Sequence, residues 1–329
     1  MQSQNFGLSV SRTLKKKESL IIIILFSWTY SLLAGCNFSG SNTPTDDAVT
    51  LIASVGSPPA DSIVWSPIEN RILVTAGDVG MGRAQVYILD INTEQKNVLV
   101  DVDYGDIVES TWSPDGKYVL LGARQDSIGN GAGGLWKLDI ENNSLEYLVD
   151  SASPAWASDG KSIASFFVKD HNSASKKMSL RLIDVDTKNV TSIYETTDMK
   201  YFFGLSWSSD GEHLVFALGM EEPGNLYTIN VMTREVSQIT DTTKSTGPVW
   251  SPTGNVIAYT NWPSQGTKTT LHLISADGKC DIQIPNLEYV WSPTWSPDGK
   301  KLGYIGEDGI YFVNLDKDLG RNIYEGLCE

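Results

Sequence analysis

One short pattern, Trp-Ser-Pro-Asp-Gly-Lys or a close variant, recurs six times along this chain of 329 residues. The tryptophans that begin the copies are spaced 43 to 51 residues apart. A period of this length is typical of the four-stranded blade of a β-propeller. The repeat therefore predicts an all-β fold, a six-bladed β-propeller with four antiparallel strands per blade, over residues 48–329. The six tryptophans are Trp65, Trp112, Trp156, Trp207, Trp250 and Trp295.

Each copy of the pattern predicts the same series of strands. The Trp ends a first strand, and the Pro-Asp-Gly after it forms a turn, because Gly accepts positive φ and Asp can bond nearby backbone. Second strands such as 118–121 are rich in β-branched and aromatic residues, which favour a pleated surface. In third strands such as 135–139, apolar residues alternate with larger or polar ones, the period-2 pattern of a strand. A more polar fourth strand, such as 236–240, protects the edge of the blade from pairing with other chains.

The six repeat tryptophans have a structural interpretation. One large ring per blade, always at the same position, is expected to pack against the neighbouring sheet. We therefore interpret these residues as inter-blade core and not as an aromatic binding site.

Ring closure has two candidates in the sequence. Residues 49–52 resemble an isolated fourth strand, since Leu51 stands 14 residues before Trp65, an interval that recurs in later blades. Residues 321–324 resemble the last blade's own fourth strand. The two segments compete for one edge or lie side by side, and we expect the N-terminal strand to join the last blade.

Residues 1–35 are predicted to be a lipoprotein signal peptide. Four basic residues precede the apolar run 20–33, which is short for a helix that spans a bilayer. The run ends in Leu-Ala-Gly-Cys, which resembles the bacterial lipobox and implies that Cys36 is acylated after cleavage. Two or more acyl chains give stable anchoring. Residues 36–47 then form the lipidated Cys and a polar, flexible tether; the alternative is an uncleaved N-terminal anchor.

Charge and anchor together predict the location of the protein. The formal net charge is −15, which argues against binding to nucleic acid or electrostatic docking on anionic lipid. The anchor places the chain outside the cytoplasm, attached to a bacterial membrane through its N-terminal lipid. In a Gram-negative cell this would be the outer membrane, because Asn37 is not the Asp that resembles an inner-membrane retention signal.

Two further cysteines form a possible disulfide. With Cys36 assigned to the lipid, Cys280 in blade five and Cys328 near the C-terminus remain. An oxidising compartment permits a bridge between them that would hold the C-terminal tail. The alternative is two unpaired thiols.

The repeats resemble the TolB-type propeller repeat across residues 48–329. TolB itself carries an α/β domain before its propeller and is a soluble periplasmic protein, so we expect a TolB-type repeat lipoprotein that is not TolB. The resemblance implies a scaffold that grips a partner at one face or mouth of the ring. The repeat also resembles the propeller of prolyl-oligopeptidase-type enzymes, but the nearest string to their nucleophile elbow, residues 204–208, lacks its second Gly.

Motifs for chemistry are sparse. Of the three histidines, His171 lies in a polar loop, while His213 and His272 fall in strands of different blades, and neither His-Glu-x-x-His nor Cys-x-x-Cys occurs. The acidic strings 101–106 and 316–320 do not complete an EF-hand loop. The sequence therefore predicts no catalytic residue, no metal ligand and no cofactor.

Three loops depart from the minimal repeat, namely 77–84, 124–134 and 169–177. They link second to third strands in blades one to three, so they should cluster on one face of the ring. Binding residues favour loops on rigid scaffolds. Residues 124–134 are Gly-rich without the features of a phosphate-binding loop, and flexibility is the preferred account of them.

These observations favour one function and leave alternatives. The preferred one is a membrane-anchored module that binds an envelope protein or an extracellular ligand without chemistry. The alternative is an extracytoplasmic propeller hydrolase or lyase with a metal or acidic site in the central channel. A third is a structural subunit of an envelope complex. The partner's identity, the face that binds it and the oligomeric state stay open.

Overall fold

The structure is a computed structural model, and it describes the chain from residue 49 to residue 315 with short gaps. The described residues form strands and turns, and none of them is helical. The described ranges are 49–54, 60–78, 83–102, 107–123, 133–169, 177–197, 201–219, 224–241, 244–254, 256–262 and 268–315.

Twenty-four strands make up this part of the chain. They are β1 Val49–Ser54, β2 Ala60–Trp65, β3 Arg71–Asp78, β4 Arg83–Asp90, β5 Lys96–Val102, β6 Ile107–Trp112, β7 Tyr118–Ala123, β8 Gly134–Asp139, β9 Ser144–Val149, β10 Ala152–Trp156, β11 Ser162–Lys169, β12 Lys177–Asp184, β13 Val190–Thr196, β14 Tyr201–Trp207, β15 His213–Gly219, β16 Asn225–Asn230, β17 Val236–Gln238, β18 Lys244–Trp250, β19 Val256–Trp262, β20 Thr270–Ser275, β21 Asp281–Glu288, β22 Trp291–Trp295, β23 Lys301–Ile305 and β24 Gly309–Asn314.

The strands form six antiparallel sheets of four, which confirms the predicted six-bladed propeller. Blades one to five take their strands in chain order, from β2–β5 to β18–β21. The first strand of each blade lies innermost, and these six strands contact one another in a closed ring. They are β2, β6, β10, β14, β18 and β22.

The N-terminal strand closes the ring. β1 pairs with β24, so that Val49 faces Val313 and Ser54 faces Gly309 in the register. Ile52 is only 5% exposed and belongs to an apolar cluster shared by blades one and six. This confirms the prediction that the N-terminal strand joins the last blade; residues 321–324 lie outside the described residues.

Apolar side chains fill the space between neighbouring blades. Phe166 of blade three stacks on Phe202 of blade four, with ring centroids 4.2 Å apart, and Phe216 packs against both. All three rings are buried. Burial of these rings stabilises the contact between the two blades, because an aromatic side chain buries about 150–250 Å².

The Ser-Pro-Asp-Gly segment forms a self-contained turn. In blade two, the Ser113 hydroxyl donates to the Asp115 carboxylate at 2.6 Å, and the same carboxylate accepts the Lys117 amide at 3.1 Å. Gly116 has a φ of 71°. A side chain there would meet Ile68 of the preceding blade, so successive turns also touch each other around one mouth of the ring.

The three predicted loops are shorter than the sequence indicated. Antiparallel pairing continues into each, with Gly77 opposite Ala84 and Lys169 opposite Lys177. Residues 79–82, 124–132 and 170–176 lie outside the described residues. The described part of the chain contains no helix long and apolar enough to cross a membrane; the predicted signal peptide lies outside that part.

Candidate functional site in the central channel

The six inner strands enclose a cavity of about 450 Å³ on the axis of the ring. Its walls are mostly small or apolar residues and the hydroxyl groups of Ser and Thr, with five of the six repeat tryptophans at its edge. Among its described lining residues, Glu109 carries the one ionisable side chain. The cavity thus combines contributions from every blade with a single charge.

Each inner strand carries a bulge shortly before its tryptophan, where pairing with the second strand shifts register. Bulges redirect side chains and are frequent beside functional sites. The residues three positions before the tryptophan lie at this bulge, and all of them except Ser153 line the cavity. They are Ser62, Glu109, Ser153, Gly204, Gly247 and Ser292.

Four of these six residues have left-handed backbone. The φ values are 51° for Ser153, 54° for Gly204, 57° for Gly247 and 51° for Ser292. Left-handed backbone is costly for a residue with a Cβ atom, so the two serines are held there by the surrounding ring. Gly204 has a further constraint, because a Cβ atom would lie 2.7 Å from Cδ of Pro248.

Hydroxyl groups tie neighbouring inner strands together. The Ser292 and Thr294 hydroxyls of blade six accept the amides of Ile63 and Trp65 in blade one, both at 2.9 Å. These bonds satisfy backbone donors that point sideways out of each sheet. They join the inner strand of blade six to that of blade one.

Three of the repeat tryptophans also make hydrogen bonds across blades. The Trp112 indole donates to the carbonyl of Val64 in the preceding blade at 3.1 Å, and Trp207 donates to Ala155 at 3.0 Å. Trp295 makes the same bond to blade five. Each of these three indoles therefore joins two neighbouring blades.

Glu109 reaches from blade two to the next two blades. Its carboxylate accepts hydrogen bonds from the side chain of Ser153 in blade three and the backbone amide of Gly204 in blade four. Burial raises the pKa of Glu109 to about 7, and the two hydrogen bonds offset part of that rise. The side chain is partly exposed, and it lines the cavity.

Two other polar clusters lie away from the channel. In blade five, the Asp281 carboxylate accepts the Tyr259 hydroxyl at 2.6 Å and lies 3.0 Å from Nδ1 of His272. Tyr259 is fully buried, so this network satisfies a hydroxyl inside the blade.

The second cluster, Asp210, Glu212 and His213, brings three potential ligand atoms within 4.8 Å. Asp210 already accepts the Ser208 hydroxyl and the Glu212 amide as part of its turn. Both carboxylates of the cluster are exposed. Turn formation explains the cluster without a metal.

The residues that the sequence singled out for other roles lie apart from this cavity or outside the described residues. Cys280 lies half-buried in the turn before β21, while Cys36 and Cys328 fall outside the described residues, so lipidation and the disulfide stay predictions. His213 and His272 lie in β15 and β20, as predicted, and His171 is outside. Glu109 belongs to no sequence motif and was not predicted. An alignment of the six inner strands on their tryptophans would have found it.

The fold and the channel define a propeller built from Trp-Ser-Pro-Asp-Gly repeats around a narrow cavity. Residues 51–298 match the family model described as TolB beta propeller domain. The chain belongs to that family.

The relatives agree with this assignment. The chain is 25% identical over 251 residues to the Tol-Pal system protein TolB of Francisella tularensis subsp. mediasiatica (strain FSC147), which covers 73% of this chain and 55% of that protein. The chain thus spans about half the length of the curated relatives of this kind.

Solved structures show the same fold. A putative TolB from Agrobacterium tumefaciens superposes with a TM-score of 0.62 at 17% identity, covering 80% of this chain and 99% of that one. An oligogalacturonate lyase in complex with manganese gives 0.53 at 11% identity, covering 83% and 98%. At these identities the likeness concerns the fold alone.

Proposed function

We propose that this protein is a lipid-anchored, extracytoplasmic propeller of the bacterial envelope that binds another envelope protein, or an extracellular ligand, without chemistry. The family membership supports an envelope role, because a relative is named as part of the Tol-Pal system. The anchor rests on the Leu-Ala-Gly-Cys sequence that ends at Cys36.

The composition of the channel carries the proposal. Acid–base catalysis often uses a pair of titratable groups whose environments separate their pKa values. The described lining of the cavity offers one carboxyl, Glu109, among hydroxyls, prolines, glycines and indole rings. Such a lining suits recognition of a bound group by shape and hydrogen bonds.

The hydrolase or lyase alternative would require the same cavity to hold a metal ion or a set of acidic side chains. A hard divalent cation takes six or more oxygen ligands, commonly with several carboxylates. Among the described lining residues Glu109 supplies the single carboxylate. The donor set therefore favours binding over metal-assisted chemistry.

In-cell photocrosslinking of the full-length lipidated protein tests the proposal. A crosslinking residue at Ile68, an exposed position next to Pro67 of the cavity wall, reports on the channel mouth. The same residue at Val190, exposed on the outer strand β13, is the matched control. We expect one envelope protein to be captured from Ile68 and not from Val190.

The anchor is tested by Cys36→Ala, with Ser39→Ala in the tether as its control. Capture should be lost in the first variant and kept in the second. Capture that is equal at both crosslinking positions, or that survives Cys36→Ala, contradicts a membrane-proximal docking role.

A further inference from the structure

Glu109 carries the one carboxyl group of the described cavity lining, and no cationic side chain lies beside it there. The described cavity lining contains neither Lys, Arg nor His. The two groups that contact its carboxylate, the Ser153 side chain and the Gly204 amide, are neutral donors. Enclosed carboxylates are normally paired with a cation or neutralised.

The carboxylate keeps capacity for another donor. Two carboxylate oxygens accept about four hydrogen bonds in all, and Ser153 and Gly204 supply two. The side chain lines the cavity, so the remaining lone pairs are available to an occupant of the channel. A positively charged N–H donor there would supply the counter-charge that the described lining lacks.

The walls suit a cation carried on an apolar stem. The residues that bound the cavity of about 450 Å³ include Trp112, Trp156, Trp207 and several prolines. Apolar walls of this kind accommodate a methylene chain. A metal ion would find a single carboxylate among the described lining residues, and it has no methylene chain to pack against the apolar walls.

We propose that the channel is a binding site for a cationic nitrogen group, an ammonium or a guanidinium, with Glu109 as its anion, and that a basic side chain of the protein partner supplies it. The assignment of the cation to a protein partner rests on the proposed function. The recognition of the cation depends on this chain's own residues.

Calorimetric titration of the full-length lipidated protein in detergent tests the site. The probes are a five-residue capped peptide, Ser-Gly-Arg-Gly-Ser, its citrulline analogue, free agmatine and calcium chloride. The citrulline peptide has the same shape without the charge, so it should bind about tenfold more weakly or worse, the loss expected for one charged hydrogen bond. This comparison needs no variant and therefore does not depend on refolding.

Two matched variants locate the cation. Glu109→Gln should bring the arginine peptide down to the affinity of the citrulline peptide. Glu141→Gln, which removes the same charge from an exposed turn of the same blade, should leave the affinity unchanged. Three results would overturn the site. They are equal affinity of the wild-type protein for both peptides, an affinity of Glu109→Gln for the arginine peptide that equals the wild-type affinity, and heat released by calcium alone.

The source of the cation and the proposed function are separated by two further results. Agmatine that binds as tightly as the peptide would overturn the assignment to a partner's side chain. A partner captured equally by wild type and Glu109→Gln would overturn the site and leave the docking role standing. If the protein binds the arginine peptide more tightly than the citrulline peptide, but no partner is captured by crosslinking, the cation site stands and the docking role is contradicted.

Discussion

The backbone amide of Gly204 donates a hydrogen bond to the carboxylate of Glu109, two blades away around the ring. The bond exists because both residues lie at the inner-strand bulge, three positions before the tryptophan of their repeats. It links a glycine that cannot accept a side chain to the one ionisable group of the described channel lining.

The first prediction concerns Glu109→Gln. In the folded protein the pKa of Glu109 is about 7, above its ordinary value of 4.5. Between these pH values the folded state keeps a proton that the unfolded chain has released, so the free energy of unfolding falls as pH rises from 4.5 to 7. Gln cannot ionise, and its amide oxygen still accepts from Ser153 and Gly204. The variant should therefore be more stable than wild type above pH 7, by about 1–3 kcal/mol.

Urea unfolding at pH 4, 6 and 8 measures this difference. It should be smallest at pH 4, where both states hold the proton, and reach its full value at pH 8. Glu141→Gln, on an exposed turn, should follow the wild-type curve at every pH. A Glu109→Gln protein that is equally destabilised at all three pH values would show that burial does not raise the pKa of this carboxyl group.

The second prediction compares two glycines with left-handed backbone. Gly204 has a φ of 54° and Gly211 a φ of 73°. A Cβ atom on Gly204 would lie 2.7 Å from Cδ of Pro248, whereas Gly211 has open space within 4 Å. Both Ala variants pay about 1 kcal/mol for left-handed backbone, and only Gly204→Ala adds about 1–3 kcal/mol for overlap in a packed site.

Chemical denaturation of the two Ala variants side by side is the measurement. The slope of unfolding free energy against urea should stay constant, so that the midpoints report stability alone. Equal costs at the two positions would mean that blades four and five separate at no cost to admit a methyl group.

Local chemistry explains why the fold was predictable. The turn at Asp115 and Gly116 is built from hydrogen bonds within five residues, so its sequence specifies it without reference to the rest of the chain. Repetition of that turn at blade spacing then fixes the number of blades. The closing strand was also within reach, because the interval from Leu51 to Trp65 matches later blades.

The channel was harder to predict because its geometry depends on residues far apart along the chain. Glu109 stands out only against Ser and Gly at the equivalent inner-strand positions, and no motif marks it. Its partners, Ser153 and Gly204, are brought to it by ring closure. The predicted loop 77–84 is too long for another reason: the antiparallel ladder continues through Gly77, which pairs with Ala84.

The third prediction tests how the N-terminal strand holds the ring. Ile52 and Leu51 are neighbours in β1, but Ile52 is 5% exposed and Leu51 is 50% exposed. Ile52→Ala should cost about 2–5 kcal/mol, since it opens a cavity in the cluster shared by blades one and six. Leu51→Ala should stay within about 0.5 kcal/mol of wild type. Thermal or urea unfolding distinguishes them, and similar costs for both would contradict closure through β1.

The fourth prediction separates the hydrogen bond of a repeat tryptophan from its packing. The Trp112 indole donates to the Val64 carbonyl of the preceding blade at 3.1 Å, whereas the buried Nε1 of Trp156 has no hydrogen-bond partner among the described residues. Replacement by Phe removes the same atoms at both positions. Trp112→Phe should therefore be more destabilising than Trp156→Phe by about 1 kcal/mol, the net value of one hydrogen bond.

Urea unfolding of both variants measures that difference, with Trp207→Phe as a second bonded case, since its indole donates to Ala155. Trp207→Phe should resemble Trp112→Phe. Removal of an unsatisfied buried N–H recovers part of its desolvation cost, which is why Trp156→Phe should be the mildest of the three. If Trp156→Phe proves the most damaging, ring packing and not the inter-blade hydrogen bond determines what these tryptophans contribute to stability.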